Sequence, residues 1–418
     1  MKSIITKIQA REILDSRGNP TIETTVWSGS VFAFASVPSG ASTGTYEAVE
    51  LRDGNKKHFS GLGVNKAIRN VNINIAKALK GKSVFDLKNI DEILLKLDKT
   101  PNKSRLGANA ILSVSLANAR LAAKLSNKPL YKYLATHYGF KNISLPTPLL
   151  NVINGGLHAD SGFDIQEFFI IPMKGSFAEK INRSHAVIRE LKRILVQKKQ
   201  SVGVGDEGGF APKLGSNKKA LRVLVSAIKN CKFKLGKDFG LGLDAAASEF
   251  FDSNKEIYSF KADKKYYKPA SVYRLYQQWI NAYGLQIIED PCAEDDFEGW
   301  QKVTQTLGEQ TILVGDDLFV TNTQRIESGI ISGIANAVLI KLNQIGTLSE
   351  TMAAIKLAQK YGYKVVISHR SGETNDDFIA DLSAAVGADY IKAGSLNRGE
   401  RMAKYNRLMA IEAELNSN

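Results

Sequence analysis

The chain contains few cysteines and no long apolar run. Its 418 residues include only two cysteines, Cys231 and Cys292, whose separation fits neither a metal-binding nor a redox motif. A disulfide framework is therefore not expected, and the chain is expected to lie in a reducing compartment. No apolar run approaches the ~18 residues of a membrane-spanning helix, and the N-terminus lacks the long apolar segment of a secretory signal. These absences predict a cytoplasmic protein without a membrane span.

Acidic residues are also scarce relative to basic ones. The chain has 56 Lys and Arg against 42 Asp and Glu, a net charge of +14, although its 44% hydrophobic and 23% charged content is ordinary for a globular protein. Such a charge attracts nucleic acids and acidic surfaces. The lysine pairs are spread along the chain without interleaved aromatic residues, which favours a solvated basic surface. A nucleic-acid or other surface partner stays open.

The first third of the chain carries both strand and helix signals. Segments 22–26 and 31–35 are rich in β-branched and aromatic residues, and Ser28-Gly29-Ser30 between them predicts a hairpin turn. Segments 65–79 and 108–125 have apolar residues at three- and four-residue spacing, which predicts helices. An antiparallel sheet followed by helices is an α+β arrangement.

The C-terminal half repeats one pattern, an apolar run that ends in a charged residue. After a longer first interval, these ends recur at close to the roughly 30 residues that a strand, a helix and two loops require. The pattern indicates parallel strands buried on both faces, and the polar segment 252–268 in the first interval is interpreted as an insertion. A βα-barrel has its active site at such strand ends, here at Asp244, Glu289, Asp316, Lys341, His369 and Lys392.

These patterns predict an α/β fold with two domains. Residues 1–138 are expected to form an N-terminal α+β capping domain of antiparallel sheet and helices. Residues 139–418 are expected to form the βα-barrel, and Pro146 and Pro148 break any helix near the boundary.

The residues after the run 365–367 suit a small anionic substrate. Arg370 and Ser371 offer a guanidinium and a hydroxyl for phosphate oxygens, and His369 is a proton carrier. A polar loop that caps a helix is the alternative interpretation.

Three of the strand-end residues are carboxylates. Asp244, Glu289 and Asp316 are hard oxygen ligands without a nearby Cys or His, which favours Mg²⁺. Carboxylates so close together repel one another unless a cation lies between them. Lys341 and Lys392 would be costly at the ends of buried strands unless they are paired or used in chemistry.

The chain resembles the enolase family over almost its whole length. The resemblance rests on long segments that occur in the family's order, which are 15–20, 39–44, 107–112, 155–159, 164–168, 205–210, 316–318, 341–347, 368–374 and 403–406. It implies an enolase-type TIM-like barrel and the reversible dehydration of 2-phosphoglycerate to phosphoenolpyruvate. It also implies two Mg²⁺ ions per subunit, the second arriving with substrate, and a homo-oligomer that is at least a dimer.

The resemblance also implies a role for each site residue. Lys341 would be the base, which requires its pKa to fall to roughly 7–8, and Glu207 would be the acid, paired with Glu167. The remaining assignments are Arg370 and Ser371 to the phosphate, Lys392 to the substrate carboxylate, His158 and His369 to the lining of the site, Asp244, Glu289 and Asp316 to the first metal ion, and Ser42 to the second.

Two other functions stay open at the level of sequence. One is a related enzyme that removes an alpha proton from a different carboxylate substrate, although Arg370 and Ser371 favour a phosphorylated one. The other is a surface or nucleic-acid binding protein that retains the scaffold without activity, although no reactive position is lost. Tyr46 and segment 161–163 depart from the family pattern and are expected to affect loop closure.

Overall fold

The computed structural model describes residues 3–40 and 46–417. Ser42, predicted to contact the second metal ion, lies outside the described residues. The strands are β1 Lys7–Leu14, β2 Pro20–Ser28, β3 Val31–Ser36, β4 Thr147–Asn154, β5 Glu167–Pro172, β6 Phe239–Asp244, β7 Phe251–Asp252, β8 Ile257–Phe260, β9 Lys265–Tyr267, β10 Leu285–Glu289, β11 Ile312–Gly315, β12 Ala337–Ile340, β13 Lys364–Ser368 and β14 Tyr390–Lys392.

Fourteen α-helices accompany these strands in the described part of the chain. They are α1 Asn65–Arg69, α2 Ala76–Leu79, α3 Leu87–Asp98, α4 Ala108–Leu125, α5 Leu130–Tyr138, α6 Phe177–Gln197, α7 Asn217–Asn230, α8 Tyr273–Tyr283, α9 Phe297–Leu307, α10 Thr323–Ser332, α11 Leu342–Ile345, α12 Leu348–Lys360, α13 Phe378–Ala385 and α14 Gly399–Asn416. None of the helices in the described residues is long and apolar enough to cross a membrane.

The N-terminal region is an antiparallel sheet covered by helices. β2 and β3 form the predicted hairpin, with Ser28 opposite Val31, and β1 pairs with the other edge of β2. The predicted helix over 65–79 is α1 and α2 joined by a π-helical stretch, and the predicted helix over 108–125 is α4. α4 lies against β2 and β3 because its small residues permit a close approach, and Thr24 and Ser113 share a buried hydrogen bond of 2.6 Å. The α+β arrangement is confirmed.

The C-terminal region is a closed barrel of eight strands in the order β10, β11, β12, β13, β14, β4, β5 and β6. The six apolar runs identified in the sequence are strands of this barrel, and their neighbouring pairs are parallel. β5 is the exception, because it is antiparallel to both β4 and β6. The barrel is therefore confirmed, but its sheet is mixed where only parallel strands had been predicted.

The segment 252–268 is an insertion, as predicted. It folds with its neighbours into a separate antiparallel sheet of β7, β8 and β9 outside the barrel. Tyr258 and Phe260 in β8 are buried, and Phe260 packs edge-on against Trp279 of α8 at 6.3 Å between ring centroids. The insertion thus has an aromatic core of its own against the barrel helices.

The N-terminal region contacts the barrel directly beside the strand ends. Ser39 and Gly372 exchange two backbone hydrogen bonds of 2.7 and 3.0 Å. An added Cβ at Gly372 would lie 2.5 Å from Asp15 Oδ2 and 2.6 Å from Ser39 Oγ, so only glycine fits this approach. The contact fixes the loop after β13, which carries His369 and Arg370. The domain boundary at residue 138 stays a prediction.

Candidate active site

The charged residues at the strand ends meet at one end of the barrel. Asp244 and Glu289 are the last residues of β6 and β10 and stand opposite each other in the sheet. Asp316 directly follows β11, Lys341 directly follows β12, and Lys392 ends β14. Asp244, Asp316, Lys341 and Lys392 line a cleft of about 550 Å³, measured with its opening to solvent, and Glu289 lies behind Lys392.

Glu167 joins the cleft because β5 is reversed. It is the first residue of β5, whereas Asp244, Glu289 and Lys392 are the last residues of their strands, and it stands opposite Asp244. An antiparallel strand begins where its parallel neighbours end. The reversal therefore places Glu167 among the carboxylates, 1% exposed.

The Lys392 ammonium lies between three of these carboxylates. Its Nζ donates to Asp244 Oδ2 at 2.9 Å and to both Glu289 oxygens at 2.8 and 2.9 Å, and it lies 3.2 Å from Glu167 Oε1. Burial disfavours its charge, but the surrounding carboxylates outweigh burial and raise the pKa of Lys392 well above its usual value. Lys392 is therefore a permanent cation at the centre of the cleft.

Lys341 is paired with Asp316. Its Nζ donates to Asp316 Oδ2, and Gln344 Nε2 donates to the other carboxylate oxygen of Asp316 at 2.9 Å. Burial, together with Arg370 and Lys392, lowers the pKa of Lys341, but the Asp316 charge outweighs them and the net pKa is raised. In this pairing Lys341 is an ammonium, and a base is obtained only when the charge of Asp316 is neutralised.

Carboxylates outnumber cations in the cleft. Burial and the Asp244 charge raise the pKa of Glu289 well above its usual value, and burial and Asp316 raise that of Asp317 to about 7. Asp290, Asp316 and Asp317 offer oxygens within 4.8 Å of one another, although Asp290 also accepts the backbone N–H groups of Asp316 and Asp317 at 2.9 Å. A buried, all-oxygen donor set with unbalanced negative charge fits a hard divalent cation such as Mg²⁺.

The predicted acid, Glu207, lies on the opposite wall beside Glu167. His158 Nδ1 lies between them, 3.4 Å from Glu167 Oε1 and 3.7 Å from Glu207 Oε1, and Asn151 donates to Glu207 Oε2 at 3.0 Å. Burial and the Glu207 charge raise the pKa of Glu167 to about 7. Burial also raises the pKa of Glu207, but His369, His158 and Lys392 more than offset it and the net pKa is low. Of the two carboxyls, Glu167 is the protonated one near neutral pH.

A buried arginine fixes the orientation of His369. Arg401 Nη1 donates to His369 Nδ1 at 2.7 Å, so that the ring hydrogen is on Nε2, 3.3 Å from Glu207 Oε2. Burial, aided by the Arg401 charge, lowers the pKa of His369 to about 3, and His369 faces Glu207 as a neutral imidazole. Arg401 also donates to the carbonyl oxygens of Arg370, Ser371 and Asp206 at 2.7, 2.6 and 3.1 Å.

Hydrogen bonds to Glu47 and Asn343 hold the Arg370 guanidinium in the cleft. Its Nη1 and Nη2 donate to the two carboxylate oxygens of Glu47 at 2.8 and 3.2 Å, and Nη1 also donates to Asn343 Oδ1 at 2.9 Å. Ser371 follows it and lines the same cleft. The guanidinium is thus oriented in advance, and Glu47 connects it to the N-terminal region.

Sequence reasoning missed several residues of this cleft. Asp290 and Asp317 stand next to assigned residues in acidic pairs, Glu289-Asp290 and Asp316-Asp317, which was the available signal. Glu47 comes from the N-terminal region and carried no signal that it reaches the barrel. Arg401 is 0% exposed on α14, and a single buried cation on a helix is not distinguishable in sequence from one on its surface.

The barrel and the charged cleft at its strand ends define a class, the TIM-barrel enzymes that act on small anions. Residues 142–418 match the C-terminal TIM barrel domain of enolase, and residues 5–134 match the enolase N-terminal domain. The two matches span almost the whole chain, and the chain belongs to the enolase family. Its reaction is the reversible dehydration of 2-phosphoglycerate to phosphoenolpyruvate, which makes it a glycolytic hydro-lyase, and the family uses Mg²⁺.

Proposed function

We propose that the chain carries out this hydratase reaction with Lys341 as base and Glu207 as acid, on opposite walls of the cleft. The observation that carries the assignment is the pairing of Lys341 with Asp316 at the ends of adjacent strands, across the cleft from the Glu167–His158–Glu207 group. A base and an acid on opposite sides suit removal of a proton from C2 and loss of hydroxide from C3. A Lys or His base used together with Mg²⁺ is the established pattern of the enolase superfamily itself, so this combination is a family precedent.

Asp244, Glu289 and Asp316 would hold the first Mg²⁺, and the second would arrive with substrate at Ser42. Bound there, the ions would stabilise the negative charge that gathers on the substrate carboxylate when the C2 proton leaves. The excess of carboxylates over cations supports a cation site in the cleft. Asp244 and Glu289 accept from the Lys392 ammonium, and the oxygens within 4.8 Å of those of Asp316 belong to Asp290 and Asp317.

A cation held by Asp316 would neutralise the charge that keeps Lys341 protonated. The Asp316 charge is what holds the pKa of Lys341 up, while burial, Arg370 and Lys392 all act to lower it. With that charge neutralised, the lowering influences dominate, and the neutral amine takes the C2 proton at Nζ.

The departing hydroxide receives its proton from Glu207. Near neutral pH the proton of the Glu167–His158–Glu207 group is held by Glu167, whose pKa is about 7. His158 Nδ1 lies within 3.7 Å of both carboxylates and offers the path between them. The C3–O bond breaks, the Glu207 proton joins the leaving oxygen, and water is released.

Two cations, Arg370 and Lys392, the Ser371 hydroxyl and the neutral His369 would orient the substrate. Arg370 and Ser371 would bind the phosphate, since the guanidinium is already oriented by Glu47 and Asn343. Lys392 would bind the substrate carboxylate while keeping its charge, and His369 would steady Glu207. We also propose that the chain works in the cytoplasm as a homo-oligomer of at least two subunits, which its mass in solution would test.

The test is proton exchange at C2 of 2-phosphoglycerate in deuterated solvent, followed by NMR with Mg²⁺ present. Lys341→Ala is expected to abolish both exchange and phosphoenolpyruvate formation, because Lys392, the other amine that lines the cleft, is held as an ammonium by its carboxylates. Lys364→Ala, on the exposed start of β13, is the matched control and is expected to behave as wild type. Exchange near the wild-type rate in Lys341→Ala would remove Lys341 as the base.

A further inference from the structure

The positive charge of the chain is concentrated in one segment. Residues 174–238 contain 16 Lys and Arg against 5 Asp and Glu, a surplus of 11 out of the 14 for the whole chain. This segment consists of α6, α7 and their connecting loops, which pack on the outside of the barrel. Most of the net positive charge therefore belongs to this one segment of the chain.

The acidic residues of this segment are already engaged locally. Glu190 accepts two bonds from Arg193 at 2.6 and 2.7 Å and one from Asn230 at 2.7 Å, and these bonds lower its pKa to about 2. Glu179 closes the capping box of α6 with Ser176. Asp238 accepts the backbone N–H of Lys234 at 2.9 Å.

The two remaining acids, Asp206 and Glu207, belong to the loop at the active site. Glu207 is buried there, and the carbonyl oxygen of Asp206 accepts from Arg401. Within this segment Arg193 pairs with Glu190 and Lys174 with Asp238, and the other cations form no ion pair with an acid of the segment.

Several of these cations are exposed and lie together. Arg189 and Lys192 point outward from α6, and Lys229 points outward near the end of α7; none of the three forms an ion pair with another described residue. The bond from Asn230 to Glu190 brings the end of α7 against this part of α6. We call Arg189, Lys192, Arg193, Lys229 and Lys232 the basic face.

The composition of the surface excludes a membrane-inserted helix and disfavours a protein interface. The apolar residues of α6 and α7, such as Val187, Leu191 and Leu224, are buried against the barrel. A helix that lies in a membrane must present such residues outward. Within residues 174–238 the exposed large hydrophobic side chains are Val196 and Val204, whereas protein interfaces are centred on aromatic and apolar anchors.

We propose that the basic face binds the phosphate backbone of a nucleic acid without reading its sequence. Fixed cations without apolar anchors gain affinity by releasing counterions, and nucleic acids have the highest density of such counterions. Arg189, Lys192 and Arg193 lie within about 6 Å along the α6 axis, and the end of α7 with Lys229 and Lys232 lies beside them, so the face can contact a few neighbouring phosphates. Arg and Lys contacts to phosphate position a protein on a nucleic acid without specifying sequence.

The test is binding of the full-length chain to a fluorescein-labelled 20-base-pair RNA duplex, measured by anisotropy over a series of KCl concentrations. A DNA duplex of the same sequence identifies the preferred backbone. The variant Arg189→Gln/Lys192→Gln/Lys229→Gln is compared with Lys77→Gln/Lys80→Gln/Lys88→Gln, which removes the same charge from exposed positions in the N-terminal region. Hydratase activity is measured for all three proteins and is expected to be unchanged, because none of these residues lines the cleft.

The wild type is expected to bind with a Kd below about 100 µM at physiological salt. The basic-face variant is expected to bind at least about tenfold more weakly, with a salt slope smaller by about 2 to 3, since each lost phosphate contact removes about one unit. The N-terminal variant is expected to lose little. Equal weakening in both variants, absence of duplex binding, or stronger binding to phosphatidylserine vesicles or polyglutamate than to either duplex would overturn the proposal.

Discussion

Hydrogen bonds from the Arg401 guanidinium connect the loop that carries His369 with the loop that carries Glu207. Because Arg401 donates to Nδ1 of His369, the ring must present an N–H at Nε2 to Glu207. Arg401 touches neither substrate position nor metal ligand, so it acts through His369. At the scale of the residue, the protonation of the site depends on a side chain that lies behind it.

Arg401→Lys is expected to lower kcat by about tenfold to a hundredfold with a smaller change in KM, because a lysine cannot maintain the same set of bonds. The ¹⁵N chemical shifts of His369 are expected to report a mixture of tautomers in place of one. Arg407→Lys, on the same helix but paired with Asp381, is the control and is expected to leave both unchanged. Unaltered His369 shifts in Arg401→Lys would show that the arginine has only a structural role.

Glu207→Gln separates the two halves of the reaction. It is expected to retain exchange of the C2 proton, which depends on Lys341, and to lose phosphoenolpyruvate formation by at least about a hundredfold, since the leaving hydroxide finds no acid. NMR exchange and ultraviolet absorbance measured on the same sample provide the comparison. Equal loss of both activities would make Glu207 a residue that positions substrate.

Sequence alone identified the residues that follow strands but not their partners. An apolar run predicts a strand, and the charged residue after it marks where the strand ends. This pattern made five site residues predictable, which are Asp244, Glu289, Asp316, Lys341 and Lys392. Whether Lys392 contacts Glu289 or solvent depends on how far neighbouring strands are shifted, which no local pattern encodes. Their roles in the reaction remain predictions.

At the scale of the element, β5 shows where pattern reading fails. Its apolar run begins with a charged residue, Glu167, whereas the runs that predicted the barrel end with one. β4 ends in Asn154 and gave no such signal either. The direction of β5 is set by pairing with β4 and β6, so the mixed sheet could not be read from the segment itself.

Asp91 joins two helices and makes their association depend on pH. It is buried on α3 and accepts the backbone N–H of Ser349, in the first turn of α12, at 2.8 Å. Burial raises its pKa from 3.8 to about 6. The folded chain therefore holds this proton more tightly than the unfolded chain, and the stabilisation present below pH 4 is lost as pH rises through 6.

Asp91→Asn is expected to remove that dependence. The amide keeps an acceptor for Ser349 and carries no charge, so the variant gains stability relative to wild type between pH 4 and pH 7, by about 2 to 3 kcal/mol. Urea unfolding of both proteins at the two pH values measures the difference. A constant difference between variant and wild type at both pH values would mean that Asp91 is already ionised in the fold at low pH.

At the scale of the whole molecule, the chain separates its charges. Carboxylates gather in the cleft at the barrel end, and most of the surplus of Lys and Arg over Asp and Glu lies in residues 174–238, which include α6 and α7. The net charge of +14 gives no information about where the acidic and basic residues lie. The cleft requires cations of its own, and the basic residues outside do not supply them.

Asp316→Asn is expected to impair catalysis far more than folding. An amide is a weaker ligand for a hard cation, and it leaves Lys341 without its partner carboxylate. Mg²⁺ is expected to raise the thermal midpoint of the wild type by several degrees and that of the variant by much less, while the metal-free midpoints differ little. An equal Mg²⁺ shift in both proteins would remove Asp316 from the set of ligands.

The most direct test of the proposed mechanism is the rate of phosphoenolpyruvate formation from 2-phosphoglycerate by the wild-type chain, followed by ultraviolet absorbance. We predict no measurable turnover after treatment with a chelator and full recovery when Mg²⁺ is restored. Without a cation held by the cleft carboxylates, the second negative charge that develops on the substrate carboxylate is not neutralised. Turnover at the full rate in the chelated protein would contradict this mechanism.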